Sequence, residues 1–215
     1  MGKRLYLFDS AKLLLIFLMV FGHMMESNRG LSYNGELYGC IYLFHMPLFI
    51  LISGFFSKKY DDLNLFWRNE LRLMETFLVF HIGSLLFKVL VYGHGIGLAD
   101  ITIPGYGSWY LLSLIYWRAI LQFTPSKVLD HKWLLPLCLA VSLLGGYVPV
   151  GGVLSIQRTF TFLPFFVLGY LIKERCLIEK VRLYPWVATV ILVVIMGNVF
   201  ALNYLAGGGT NTIML

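Results

Sequence analysis

Long apolar segments recur along this chain and restrict its possible folds more than any other feature. A hydrocarbon layer of about 30 Å is crossed by about 20 residues of α-helix. Hydrophobic residues make up 59% of the chain and charged residues 13%, against about 45–50% and about 25% in soluble domains. The sequence therefore predicts an all-α, polytopic membrane helix bundle of about seven transmembrane helices. The predicted spans are Leu5–Met25, Leu37–Phe56, Leu71–Tyr92, Ser108–Phe123, Trp133–Val148, Phe160–Ile172 and Trp186–Leu205.

Domain organisation is predicted to be simple. No internal repeat, low-complexity run or polar insertion interrupts the series of apolar segments, so residues 1–205 are expected to form one integral membrane domain. Residues 206–215 begin with three glycines in a row after Ala206 and are expected to form a short tail. The tail follows the last predicted span abruptly, which makes it a candidate point of truncation.

The basic residues predict the orientation of the spans. Cytoplasmic connections of membrane proteins are enriched in lysine and arginine. Twelve of the seventeen basic residues fall in alternate connections, which places the N-terminus in the cytoplasm. These twelve are Lys3, Arg4, Lys58, Lys59, Arg68, Arg72, Lys127, Lys132, Lys173, Arg175, Lys180 and Arg182.

Charge and cysteine content argue against several classes of partner. The net charge is +6, but the basic residues are dispersed between apolar segments and form no continuous patch, so no nucleic-acid partner is expected. The three cysteines, Cys40, Cys138 and Cys176, are isolated, with no CxxC pair and no histidine nearby at metal-ligand spacing. Neither a disulfide scaffold nor a metal site is expected.

The first span carries two polar residues that such a helix rarely tolerates. Lys12 and His23 are eleven positions apart, so on an α-helix they lie on one face with about 16 Å of rise between them. Ionisable residues within spans usually face a bundle interior or a wet cavity and mark a pathway or reactive site. Two alternatives remain: His23 at the lipid–water boundary, bonded to water or a loop, and Lys12 extended to the inner headgroups.

Three further side chains are candidates for contact with a substrate. His45 precedes Pro47 in the second span and is predicted either to bind substrate or to stabilise the kink at the proline. Ser53 precedes Gly54, and small residues of this kind also serve close helix packing. Trp109 suits the lining of a sugar or acyl channel, or an interfacial aromatic belt.

Four sequence blocks resemble, in the same order, those of the acyltransferase 3 family of integral membrane acyltransferases, closest to the branch related to fucose 4-O-acetylases. The first block runs from Asp9 through Lys12 to Gly22 and His23. The others are Phe44-His45-Met46-Pro47-Leu48-Phe49 with Ser53-Gly54-Phe55-Phe56, then Trp109-Tyr110-Leu111-Leu112-Ser113-Leu114, then Pro164-Phe165-Phe166-Val167-Leu168-Gly169. The resemblance departs in two respects: Met74-Glu75-Thr76 stands where the family has a proline after its arginines, and family members commonly have more spans.

The resemblance implies a function. It predicts O-acyl transfer, expected to be O-acetyl transfer, from acetyl-CoA to a hydroxyl of an envelope polysaccharide or lipid-linked glycan at the bacterial cytoplasmic membrane. His23 is expected to be the general base, and Lys12 is expected to hold the anionic part of the donor with Arg68 and Arg72. His45, Ser53 and Trp109 are the remaining candidates for substrate binding. Two other readings stay open: a transporter or flippase that uses the same polar residues, and a truncated, non-catalytic family member.

Overall fold

The computed structural model describes residues 6–26, 34–93, 95–105, 107–146 and 152–175. Within these ranges the chain is helical and has no strand. The helices are α1 (Tyr6–Met25), α2 (Asn34–Phe56), α3 (Leu63–Tyr92), α4 (Leu98–Thr102), α5 (Ser108–Phe123), α6 (Ser126–Leu129), α7 (Leu134–Gly146) and α8 (Ile156–Glu174), with a 3₁₀ turn at Val153–Ser155 before α8.

Four helices in the described ranges are long and apolar enough to cross a membrane: Phe8–Met25, Leu37–Phe56, Leu63–Tyr92 and Val153–Glu174. The prediction of an all-α membrane bundle is therefore confirmed. The count of seven spans stays a prediction, because Trp186–Leu205 lies outside the described residues. The fourth predicted span is a helix with the predicted bounds, but its 16 residues fall short of a membrane crossing.

The predicted start of the third span is too late. The helix begins at Leu63, eight positions before the predicted Leu71, because Asp62 caps it: the Asp62 side chain accepts a hydrogen bond from the backbone N–H of Asn64 at 2.8 Å. In the sequence, the polar residues in the first turns of this helix, among them Arg68 and Glu70, resemble a loop between two spans. At the other end Gly93 adopts a left-handed conformation (φ 63°) and its N–H bonds to the carbonyl of Val89.

The chain divides into two compact units, residues 1–55 with 171–215 and residues 56–170. In the first unit, α1 has a strongly exposed apolar face and a less exposed face. The exposed face consists of Leu13, Leu14, Ile16, Phe17, Val20, Phe21 and Met24. Leu15, Gly22 and Met25 are buried on the rest of the helix, and Phe8 stacks on Phe55 of α2 with ring centroids 4.6 Å apart.

In the second unit, polar contacts join the segment before α3 to the end of α5. The side-chain amide of Gln122 accepts from the backbone N–H of Tyr60 and donates to its carbonyl, both at 2.9 Å. Arg118 Nη2 donates to Tyr60 Oη at 3.1 Å and lies 3.0 Å from Glu70 Oε1. That last approach lacks hydrogen-bond geometry, and neither oxygen of the buried Glu70 carboxylate accepts a hydrogen bond from a described residue.

Aromatic and hydroxyl side chains join α5 to α8 in the same unit. Trp117 is fully buried, donates from Nε1 to the carbonyl of Thr159 at 2.8 Å, and stacks on Phe166. The buried hydroxyl of Thr159 donates to the carbonyl of Ser155 and lies 2.9 Å from the hydroxyl of Ser113. These contacts join the two helices that carry the third and fourth family-like blocks.

Candidate functional site

The less exposed face of α1 carries both Lys12 and His23. Each side chain is intermediate in exposure, whereas Leu13 and Met24, beside them in sequence, are 71% exposed. The helix therefore presents its large apolar residues on the side that suits lipid and holds the two polar residues away from it. Lys12 and His23 remain about 16 Å apart along the axis, because eleven positions of helix separate them.

Gly22 allows α2 to come very close to α1 beside His23. A Cβ built on Gly22 would lie 2.9 Å from Cε2 of Tyr42 and 3.6 Å from Cγ2 of Ile41. Real Cβ atoms essentially never approach another atom as closely as 2.9 Å, so even an alanine would displace the Tyr42 ring. The glycine before the histidine in the first block thus has a direct packing role.

Two oxygen-bearing side chains meet the same nitrogen of His23. Tyr42 Oη lies 3.1 Å from His23 Nδ1, and the two rings are perpendicular with centroids 5.9 Å apart. Glu26 Oε2, one turn along, lies 3.4 Å from the same Nδ1. An ionised carboxylate only accepts hydrogen bonds, so Glu26 favours the tautomer in which Nδ1 carries the proton. In that tautomer Nε2 has the lone pair.

His45 also contacts the Tyr42 ring. Its ring meets Tyr42 edge-on at 4.7 Å, and its side chain is buried. His45 Nδ1 donates to the carbonyl of Ile41 at 2.8 Å, which fixes the proton on Nδ1 and leaves the lone pair on Nε2. The carbonyl that loses its helical partner at Pro47 is that of Leu43, four residues earlier. The bond to Ile41 therefore does not replace the one lost at the proline.

The other predicted site residues fall into different parts of the molecule. Ser53 lies on α2 in the first unit, and its hydroxyl donates to the carbonyl of Phe49 at 2.9 Å. Arg68 and Arg72 are exposed on α3 in the second unit, one turn apart. Trp109, also in the second unit, is partly buried, with Phe162 stacked on it and the Arg158 guanidinium 5.2 Å from its ring centroid. The structure thus brings His23 and His45 to one aromatic residue, and places Arg68, Arg72 and Trp109 in the other unit.

Sequence reasoning did not identify Tyr42, and it did not connect Glu26 to His23. Both could have been found from helical spacing. Glu26 follows His23 by three positions, and Tyr38, Tyr42 and His45 follow one another at intervals of four and three, so each set shares a helix face. The contact of Tyr42 with His23 joins two helices, and only the structure reveals it.

This arrangement suits transfer of a proton near neutral pH. Imidazole exchanges protons in that range without a strongly altered environment. Among the residues that the structure describes, no group of three or more histidine, cysteine, aspartate or glutamate side chains is placed to bind a metal ion.

Comparison with known proteins gives a family and two named relatives. A family model described as an acyltransferase domain matches residues 5–215. Nodulation protein NolL of Mesorhizobium japonicum is 24% identical over 86% of this chain and 52% of its own length. Nodulation protein NolL of Sinorhizobium fredii is 26% identical over 78% of this chain and 48% of its own length. The chain thus spans about half the length of the curated relatives it matches, and no solved structure matches it.

Proposed function

Because this chain belongs to the acyltransferase 3 family, we propose that it transfers an acetyl group from acetyl-CoA to a sugar hydroxyl. The acceptor would be an envelope polysaccharide or a lipid-linked glycan, and the protein would act in the bacterial cytoplasmic membrane with its N-terminus in the cytoplasm. Four membrane-length helices in the described ranges support the integral membrane setting. The donor, the acceptor and the orientation are part of the proposal.

One observation supports the chemistry: two oxygen-bearing side chains lie on the Nδ1 side of His23, and we assign Nε2 as the atom that meets a reactant. Tyr42 Oη and Glu26 Oε2 occupy the Nδ1 side at 3.1 and 3.4 Å. The imidazole side chain is 36% exposed, which is compatible with the approach of an acceptor hydroxyl. A positioned base of this kind typically contributes about 10²–10⁴-fold to the rate.

The reaction balances with His23 as the only proton carrier. The acceptor hydroxyl oxygen attacks the thioester carbonyl carbon while Nε2 of His23 takes the hydroxyl proton. The new C–O bond forms, the C–S bond breaks, and the leaving thiolate receives the proton from the imidazolium. Glu26 and Tyr42 would stabilise the imidazolium between these steps, because both accept from Nδ1–H.

Binding of the donor is assigned to the basic residues. Lys12 lies on the same face of α1 as His23, about 16 Å along the helix axis, which suits a long donor that lies along the helix. Arg68 and Arg72 would bind its phosphates, because two guanidinium groups one turn apart on an exposed face match phosphate oxygens. His45, Ser53 and Trp109 would contact the acetyl group or the acceptor.

The deciding experiment is the substitution His23→Ala, assayed for transfer of labelled acetyl from acetyl-CoA to membrane glycans. We expect transfer to fall by at least about 10²-fold while the protein still accumulates in the membrane. His131→Ala is the matched control, because His131 is an exposed histidine that follows α6 in the other unit. Retention of transfer by the His23→Ala variant would overturn the proposed role of His23.

Mass spectrometry of envelope glycans identifies the acceptor. Glycans from cells with and without the gene should differ by one acetyl unit on one sugar. An identical acetylation pattern in the two strains, with the protein present in the first, would contradict acetyl transfer to the envelope.

A further inference from the structure

The Tyr42 ring has neighbours on several sides. It stacks on Tyr38 with centroids 4.1 Å apart, meets His45 edge-on at 4.7 Å, and lies against Gly22 where no side chain intervenes. A phenol held in this way presents its hydroxyl at a fixed point. That point is 3.1 Å from His23 Nδ1.

We propose that Tyr42 is a positioning residue that keeps Nδ1 of the His23 imidazole turned toward α2, so that Nε2 faces the reacting hydroxyl. The inference rests on the proposed function, in which His23 is the base, and extends it to a residue on the next helix. Tyr42 acts through His23 and need not touch either substrate.

Tyr42 is the stronger of the two hydrogen-bond partners of His23 Nδ1, and Glu26 is the weaker. Glu26 Oε2 is 3.4 Å from Nδ1, at the long end for a hydrogen bond, and its side chain is 44% exposed. Solvent competes for an exposed carboxylate, and a long, exposed side chain holds a ring poorly. Tyr42 supplies a shorter contact from a ring whose orientation is already fixed by its neighbours.

The chemistry of the phenol suits both states of the base. A phenolic oxygen accepts a hydrogen bond and also donates one. It therefore accepts from Nδ1–H while Nε2 has its lone pair, and it continues to accept after Nε2 has taken the proton. The ring of His23 can thus keep one orientation through the whole reaction. A side chain without the hydroxyl would preserve the packing but not this contact.

The test compares Tyr42→Phe with Tyr38→Phe in the full-length protein. Tyr38 belongs to the same aromatic stack, but the hydroxyl beside His23 Nδ1 is that of Tyr42, which makes Tyr38 the matched control. Two quantities are measured: kcat and KM for acetyl transfer, and the ¹⁵N spectrum of the His23 imidazole, assigned by its loss in His23→Gln. For Tyr42→Phe we expect kcat to fall about tenfold to a hundredfold with little change in KM, and the Nδ1 resonance of His23 to shift, because Nδ1–H loses its hydrogen bond to the phenol. Tyr38→Phe should match the wild type in both.

The two measurements separate this inference from the proposed function. An unchanged imidazole spectrum in Tyr42→Phe would overturn the inference, whatever happened to kcat. A changed spectrum with full transfer would support the positioning by Tyr42 and instead overturn His23 as the base. If Tyr42→Phe fails to accumulate, the ¹⁵N spectrum of wild-type His23 still tests the inference. A single tautomer with the proton on Nδ1 would support it, and an equal mixture of the two tautomers would contradict it.

Discussion

Gly22 controls how closely the first two helices approach each other. The Tyr42 ring occupies the space that a side chain at position 22 would need. The glycine therefore determines the position of a tyrosine on α2, and through it the orientation of a histidine on α1. The adjacent Gly22 and His23 therefore have linked roles. Gly22 leaves space for the Tyr42 ring, and His23 is the proposed base.

Gly22→Ala tests this relation. The added methyl group should push the Tyr42 ring aside, lower the free energy of unfolding by about 1–3 kcal/mol through overpacking, and reduce acetyl transfer. Gly83→Ala on α3 is the matched control, since a Cβ there meets nothing within 4 Å. Unfolding in a detergent titration and transfer by the purified protein are the measurements. Equal behaviour of the two variants would show that the close approach has no consequence.

Helix pairs are joined by a few polar contacts within otherwise apolar surfaces. In the second unit, α5 and α8 share the bond from Trp117 to the carbonyl of Thr159, and α3 and α5 share the approach of Arg118 to Glu70. Such contacts are costly to break where water cannot replace the lost partner. They also contribute to the pairing of particular helices.

Trp117→Phe should weaken the pairing of α5 with α8. The substitution keeps an aromatic ring against Phe166 but removes the Nε1–H donor and some volume, so we expect a loss of about 1–3 kcal/mol in the free energy of unfolding. Trp133→Phe, at a tryptophan that is 62% exposed, should cost little. Unfolding followed by far-ultraviolet circular dichroism checks this without relying on tryptophan fluorescence.

Arg118→Met should be more damaging than the loss of one surface charge. It leaves the Glu70 carboxylate, whose side chain is 4% exposed, without the positive charge beside it, and breaking a buried pair in this way costs about 3–5 kcal/mol. Adding Glu70→Met to Arg118→Met removes the buried charge and should restore much of the stability. A double variant no more stable than the single one would mean that the carboxylate is not the source of the cost.

At the scale of the whole molecule, hydropathy predicted where the long helices lie. It did not predict the contacts between helices. The bounds of α1 and α2 were nearly right, because uniform apolar runs define them. The start of α3 was wrong, because the polar residues Asn64, Arg68 and Glu70 resemble a loop in the sequence. In the structure the Asp62 side chain caps the helix at this point, and Glu70 lies beside Arg118 of α5. His23 was singled out from sequence, whereas its contact with Tyr42 depends on the approach of two helices and left no signal in a single sequence.

The two compact units each contain a buried cysteine, Cys40 in the first and Cys138 in the second. These thiols can report which unit opens on heating. Gly22→Ala should lower the temperature at which a thiol reagent labels Cys40 more than the temperature at which it labels Cys138. Trp117→Phe should have the opposite effect. Peptide mass spectrometry measures the labelling of each cysteine. Equal decreases in labelling temperature at both cysteines, in both variants, would contradict the expectation that the two units open independently.

The contact between Tyr42 and His23 joins residues only nineteen positions apart. Pairings that are close in sequence form quickly, and a chain leaves the ribosome from its N-terminus. During biogenesis, the first two helices can therefore align the imidazole before the part of the chain that supplies Arg68, Arg72 and Trp109 has left the ribosome. Damage to the later part would then yield a protein that cannot use its substrates although its base is already correctly aimed.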